Sequence, residues 1–169
     1  NGNGGCVLLT GPNAVILFDG VAFTNCSAVS SISTNPAFGG CLAMQQKAVS
    51  ILNKPTSLTL SSVQFAQCTS NVGGALSIGE GAFASLQTSF FSDNHALSIS
   101  SYSSSSSVFQ TDSGAAGGIF SQGVNITISH TSFISNSASA AAGALLASRS
   151  SPVSISSSNF TSNTASQAG

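Results

Sequence analysis

Charge is nearly missing from this sequence. Three Lys or Arg and four Asp or Glu stand among 169 residues, 4% of the chain, for a formal net charge of −1 at pH 7. Soluble domains ordinarily carry about 25% charged residues. With so little charge nothing draws in a phosphate backbone or an anionic lipid surface, so neither nucleic-acid binding nor electrostatic membrane binding is expected. Apolar runs of 18 or more are also missing, as is a signal-peptide pattern. Direct membrane insertion by this segment is therefore not expected, and any secretion signal, anchor or translocator is expected to lie outside it. No window carries a 3.6-residue apolar stripe, and Gly and Ser, poor helix interiors, occur throughout, so almost no helix is expected. Hydroxyls, from thirty-seven Ser above all, must solvate the surface instead of charges.

Paired acids are missing as well. Hydrolysis of a glycosidic bond needs two carboxylates facing one cleft. Asp19, Glu80, Asp93 and Asp112 fall at four different offsets from the repeated motifs described below, and Lys47, Lys54 and Arg149 share no offset for lyase chemistry. His95 and His130 also differ in offset, and Asp93-Asn94-His95 has no nucleophile elbow beside it. No C-x-x-C or nearby His pair suggests zinc. The expectation is no catalytic residue, no metal, no cofactor and no enzyme, with a polysaccharide-active enzyme as a remote alternative.

What is present is a motif pair that recurs five times. Its first members are Gly4-Gly5-Cys6-Val7, Gly39-Gly40-Cys41-Leu42, Gly73-Gly74-Ala75-Leu76, Gly117-Gly118-Ile119-Phe120 and Ala142-Gly143-Ala144-Leu145. The second members run Phe18 to Phe23 to Cys26, Leu60 to Phe65 to Cys68, Leu86 to Phe91 to Asn94, Ile128 to Phe133 to Asn136 and Ile155 to Phe160 to Asn163. A unit of about 25 residues, lengthened by insertions, marks a supersecondary element stacked on itself. Inside the units, Ser57-Leu58-Thr59-Leu60, Asn125-Ile126-Thr127-Ile128 and Val153-Ser154-Ile155-Ser156 alternate with period two, as strands with one dry face do. Two or three short strands per unit, with no helix to cover them, bury that face by coiling into a parallel β-helix whose rungs lie about 4.8 Å apart. Phe23, Phe65, Phe91, Phe133 and Phe160 are then expected to form an internal column, and Asn94, Asn136 and Asn163 a hydrogen-bonded turn ladder.

These motifs resemble the Gly-Gly-Ala-Ile/Leu/Val and Phe-x-x-Asn repeats of the polymorphic outer membrane proteins. Gly73-Gly74-Ala75-Leu76 matches the first in full, and the segments from Phe91, Phe133 and Phe160 match the second. The resemblance implies a right-handed parallel β-helix displayed at a cell surface, with an adhesin passenger segment that binds surface ligands as one reading of its function. Together with the repeat reading, the expected fold is an all-β, right-handed parallel β-helix of about five coils forming one domain over 1–169, with a Ser-rich insertion loop at 98–116.

The four Cys fall at matching motif positions of the first two repeats, Cys6 with Cys41 and Cys26 with Cys68. Two disulfides follow. Stacked residues have Cα atoms about 4.8 Å apart, which favours Cys6–Cys41 and Cys26–Cys68. Pairing within repeats, Cys6–Cys26 and Cys41–Cys68, accounts for the sequence almost as well, and four buried thiols are the remaining alternative.

A near-neutral surface does little to prevent association, so glycans keep it apart or self-assembly is its purpose. Asn25-Cys26-Ser27, Asn125-Ile126-Thr127 and Asn159-Phe160-Thr161 are N-glycosylation sequons, meaningful only in a host that glycosylates and easily met by chance in a chain this rich in Ser. Asn125 is best placed, on the polar phase of its strand. The Ser tract within 98–107 reads as a flexible loop open to O-linked sugar. The outward hydroxyls Ser57, Thr59, Thr127, Ser129, Ser154 and Ser156 admit an ice-binding face as a further alternative. Written tail to head, the two termini read as one inter-motif segment, so the unit is expected to self-associate head to tail in a filament or to continue in a longer fibre. The expected location is extracellular or cell-surface, and the expected role structural.

Overall fold

The computed structural model describes residues 4–11, 14–31, 36–45, 56–98, 114–122, 125–149 and 151–166. Each repeat supplies four strands. The first gives β1 (Val7–Thr10), β2 (Val15–Asp19), β3 (Ala22–Thr24) and β4 (Ser27–Ala28), and the second β5 (Leu42–Gln45), β6 (Thr56–Ser61), β7 (Gln64–Ala66) and β8 (Thr69–Ser70). The third gives β9 (Leu76–Ile78), β10 (Ala82–Gln87), β11 (Phe90–Ser92) and β12 (His95–Ala96). The fourth gives β13 (Ile119–Gln122), β14 (Asn125–Ser129), β15 (Ser132–Ile134) and β16 (Ser137–Ala138), and the fifth β17 (Leu145–Ser148), β18 (Val153–Ser156), β19 (Asn159–Thr161) and β20 (Thr164–Ala165).

Strands of the same rank pair in parallel to form four sheets of five strands, a β-solenoid-like stack without helix among the described residues. The second sheet shows why these residues form strands. Thr56, Leu58 and Leu60 of β6 are buried while Ser57, Thr59 and Ser61 alternate with them, and β10 repeats the pattern with Ala82, Ala84 and Leu86 inside. The fourth strand of each repeat was not anticipated, because two residues are too few to display a period.

Sharp corners separate the strands. Asn25, Gln67, Asp93, Ser135 and Ser162 stack with φ between 51° and 57°, and Ser62, Thr88, His130 and Ser157 form a second left-handed column with Gly20. Side chains other than Gly and Asn enter that region at a cost of about 1–2 kcal/mol, so the stack must over-determine these corners.

The Gly-Gly step serves close approach. A Cβ on Gly74 would collide with the Gly117 carbonyl and with the backbone of His95. In the fourth repeat the equivalent stretch is Ala116-Gly117-Gly118-Ile119, since Ile119 pairs with Leu76. The alignment beginning at Gly117 is thus one residue out: Gly117 holds the close-approach position, and Ala116 takes the left-handed corner at φ 57°.

The interior is one aromatic and aliphatic column set. Phe65, Phe91 and Phe133 are fully buried and Phe23 nearly so, and their rings stack at 5.2, 4.7 and 4.8 Å with planes within 18° of parallel. Each such pair contributes about 0.5–1.5 kcal/mol beyond its burial. Phe160 and Ile155, expected in the core, are 44% and 45% exposed because their strands end the third and second sheets. Phe160 keeps one face on Phe133, at 4.7 Å. A smaller cluster of Val72, Ala115, Ala116 and Phe120, with Phe38, Ala141 and Leu146 packed on it, lies outside the main core.

Candidate functional site

The third corner carries the most regular polar structure in the chain. Asn94 and Asn136 are fully buried, where an amide left unpaired costs about 1–3 kcal/mol. Neither is unpaired. Asn94 Nδ2 donates forward to Asn136 Oδ1 (2.8 Å) and back to the Phe65 carbonyl (3.1 Å). Asn136 Nδ2 likewise donates to Asn163 Oδ1 (2.9 Å) and to the Phe91 carbonyl (3.0 Å). The backbone N–H groups of Cys68, Asn94 and Asn136 donate to the Oδ1 of the next Asn along. Asn163 Nδ2 donates back to the Phe133 carbonyl (2.9 Å), and among the described residues nothing accepts its forward donors.

Cys takes this position in the first two repeats. The disulfides are Cys6–Cys26 and Cys41–Cys68, with Cα atoms 5.6 and 5.5 Å apart, so the favoured stacked pairing is wrong and the pairing within repeats holds. Stacked side chains leave the backbone in parallel, which keeps their Cβ atoms nearly as far apart as their Cα atoms and beyond the roughly 3.5–4.5 Å a disulfide spans. Across the interior of one repeat the Cβ vectors converge.

Two polar features escaped the sequence reading. Ser89, Thr131 and Ser158 form a second ladder at the other corner: Val63 N–H donates to Ser89 Oγ (3.3 Å), Ser89 N–H to Thr131 Oγ1 (3.5 Å) and Thr131 N–H to Ser158 Oγ (3.2 Å). Its signal was a hydroxyl two residues before each Phe, in the repeats that also carry Asn. The buried Asn71 accepts at Oδ1 from Ser30 N–H (2.7 Å) and Ala37 N–H (3.1 Å) and donates to the Leu97 carbonyl (3.1 Å), tying three chain segments together. No repetition announced it.

The outward face of the second sheet is the candidate binding surface. Register sets Val15, Ser57, Phe83 and Asn125 in one column, and Leu17, Thr59, Ser85, Thr127 and Ser154 in the next. Ser129 and Ser156 pair in a third column, ending the outward hydroxyls read from the sequence. The face is not uniformly hydroxylic, since Val15 (87% exposed), Leu17 (65%) and Phe83 (47%) interrupt it. A shallow groove of about 190 Å³ opens between Phe83, Asn125 and the neighbouring hydroxyls. All three sequon asparagines, Asn25, Asn125 and Asn159, are exposed, and Thr161 Oγ1 donates to Asn159 Oδ1 (3.2 Å) within the third sequon.

The ionisable groups are scattered. Asp19 ends β2, Asp93 sits in the third corner, and His130 in the second. Glu80 pairs with Arg149 on the surface, and His95 Nδ1 lies 2.6 Å from Ser137 Oγ. No group of three or more His, Cys, Asp or Glu is placed to hold a metal among the described residues. Asp112, Lys47, Lys54, most of the Ser-rich insertion, and both chain ends lie outside the described residues.

The two disulfides point to a non-reducing compartment. Among the described residues no helix is long and apolar enough to cross a membrane. No family model, curated protein or solved structure matches the chain.

Proposed function

We propose that this chain is an extracellular or cell-surface structural protein: a glycosylated, right-handed parallel β-helix of about five coils, stapled by cystines in its first two repeats, that stacks head to tail into a filament or forms part of a longer surface fibre. One observation carries the reading. At the fifth repeat the aromatic column and the Asn ladder both stop unfinished, with Phe160 bare on one face and Asn163 without a forward acceptor among the described residues. Unpaired strand edges of this kind are templates for further pairing. A second copy placed on that end sets Phe23 over Phe160 and Phe18 over Ile155, continuing the column. Its Cys26 meets Asn163 without an amide oxygen, whereas a coil carrying Phe-x-x-Asn continues both features, as a longer chain of the polymorphic outer membrane protein type would.

The test is sedimentation of the secreted chain over a range of concentrations beside Phe160→Asp, which puts a charge on the open end of the column and gives up its contact with Phe133, with a parent-like circular dichroism spectrum of the variant as the folding control. Concentration-dependent assembly of the parent, lost in the variant, is the expected result. A denaturing, reducing mass of native material near 16.7 kDa plus sugar identifies a stacking subunit, and a larger mass a longer chain. A parent that stays monomeric, with native material no heavier, overturns both arms in favour of an adhesin segment, with Val15 and Leu17 as its outward contacts.

A further inference from the structure

We propose that Asn125 carries an N-linked glycan whose first pyranose ring lies flat on Phe83, so that the sugar completes the outer face of the second sheet. The inference rests on the glycoprotein reading above and deepens it. Phe83 and Asn125 are direct partners across β10 and β14, and both are exposed. Strands in this relation bring side-chain roots within about 5 Å, one sugar ring from contact. Phe83 is the outward residue of a strand whose alternate positions, Ala82, Ala84 and Leu86, are buried, so nothing in the protein interior accounts for an aromatic there. A pyranose offers what the site lacks, a flat array of C–H groups for the ring face and hydroxyls at its rim. The groove supplies hydroxyl partners in Ser57, Thr59, Ser85 and Thr127, with no charged side chain lining it.

The other two sequons have no such neighbour. Asn159 pairs with Ser132, and Asn25 occupies the left-handed corner column beside Gln67. Asn125 and Thr127 are both exposed with Ile126 buried between them, leaving the acceptor amide and its hydroxyl on one side. In the modification, Asn125 Nδ2 forms a bond to the anomeric carbon of an oligosaccharide carried on a lipid diphosphate. The bond from that carbon to the diphosphate oxygen breaks, the diphosphate leaves with the electron pair, and the amide gives up one proton. A host transferase brings the lipid-borne donor to the amide, and a base of that enzyme takes the proton.

The experiment uses the full chain secreted from an N-glycosylating host. Peptide mass spectrometry establishes occupancy at each sequon, and thermal unfolding compares the parent, Asn125→Gln, Phe83→Ser and the double variant. Asn125→Gln is expected to lower Tm by about 2–4 °C in the parent, the size expected of one such contact in a chain of this length, and by less than about 1 °C when Phe83 is already Ser. An equal loss in both backgrounds overturns the seating on Phe83 while leaving the glycoprotein reading intact. A bare Asn125 beside an occupied Asn25 or Asn159 overturns the site alone, and three bare asparagines overturn both.

Discussion

Asn136 donates to a single oxygen of Asn163 from two places, its side-chain Nδ2 at 2.9 Å and its backbone N–H at 3.0 Å. Asn94 makes the same pair of bonds to Asn136. Each Asn thus satisfies the corner of the repeat before it, and removing one leaves the damage in its neighbour.

Asn136→Ala strips the acceptor from the buried Asn94 amide and backbone N–H together. At about 1–3 kcal/mol for each buried group left unpaired, the expected loss is about 3 kcal/mol, read as a lowered urea midpoint. The same change at Asn163 strips the equally buried Asn136 of its acceptor in the same way, and only water entering at the half-buried end makes up part of the loss, so a somewhat smaller cost is expected. A loss of less than about 1 kcal/mol at either position would show that these bonds do not hold the corner.

Gly74 and Gly20 separate close approach from backbone conformation. Gly20 has φ 62° with open space where a Cβ would go, so Gly20→Ala is expected to cost only the left-handed penalty, about 1–2 kcal/mol. Gly74→Ala drives a methyl into the neighbouring backbone and is expected to cost more than about 3 kcal/mol or to prevent secretion of folded chain. Similar denaturation midpoints for the two variants would refute the role given to the second Gly column.

Thr88 is an exposed β-branched residue held at φ 49°. Asn tolerates that region better, so Thr88→Asn is expected to stabilise by about 1 kcal/mol and to raise Tm by about 2–4 °C. A lowered Tm would mean that the Thr side chain contributes more than its strain removes.

The cystines make a covalent prediction. Peptides cut between the Cys and run without reductant are expected to show Cys6 joined to Cys26 and Cys41 joined to Cys68. Replacing both Cys41 and Cys68 by Ala opens a loop with a sequence separation of 27, at a loss of about 3–4 kcal/mol. Recovery of a Cys6–Cys41 peptide would contradict the pairing.

Much of this architecture was legible because stacking repeats its demands. The Phe at a fixed distance before Asn or Cys marked the interior column, and the ladder followed from its neighbour. Legibility failed where a demand could be met in more than one way. Ala116 meets the left-handed corner that Gly meets elsewhere, so the visible Gly117-Gly118 pair drew the alignment one residue along. The spacing of stacked Cα atoms suits a disulfide as well as the spacing across a repeat does, and only the direction of the Cβ atoms decides between them. Phe83 was readable and passed over. Counting back from Leu86 in steps of two places it outside, where an aromatic asks for a reason.

The most direct test of the central claim is cryo-electron microscopy of native material, with the layer spacing measured along any filament axis. The account predicts filaments whose strands run across the axis with layers about 4.8 Å apart, grouped in a subunit repeat of about five layers, or about 24 Å. A monodisperse population of single short stacks, or filaments whose strands do not lie across the axis, would contradict it.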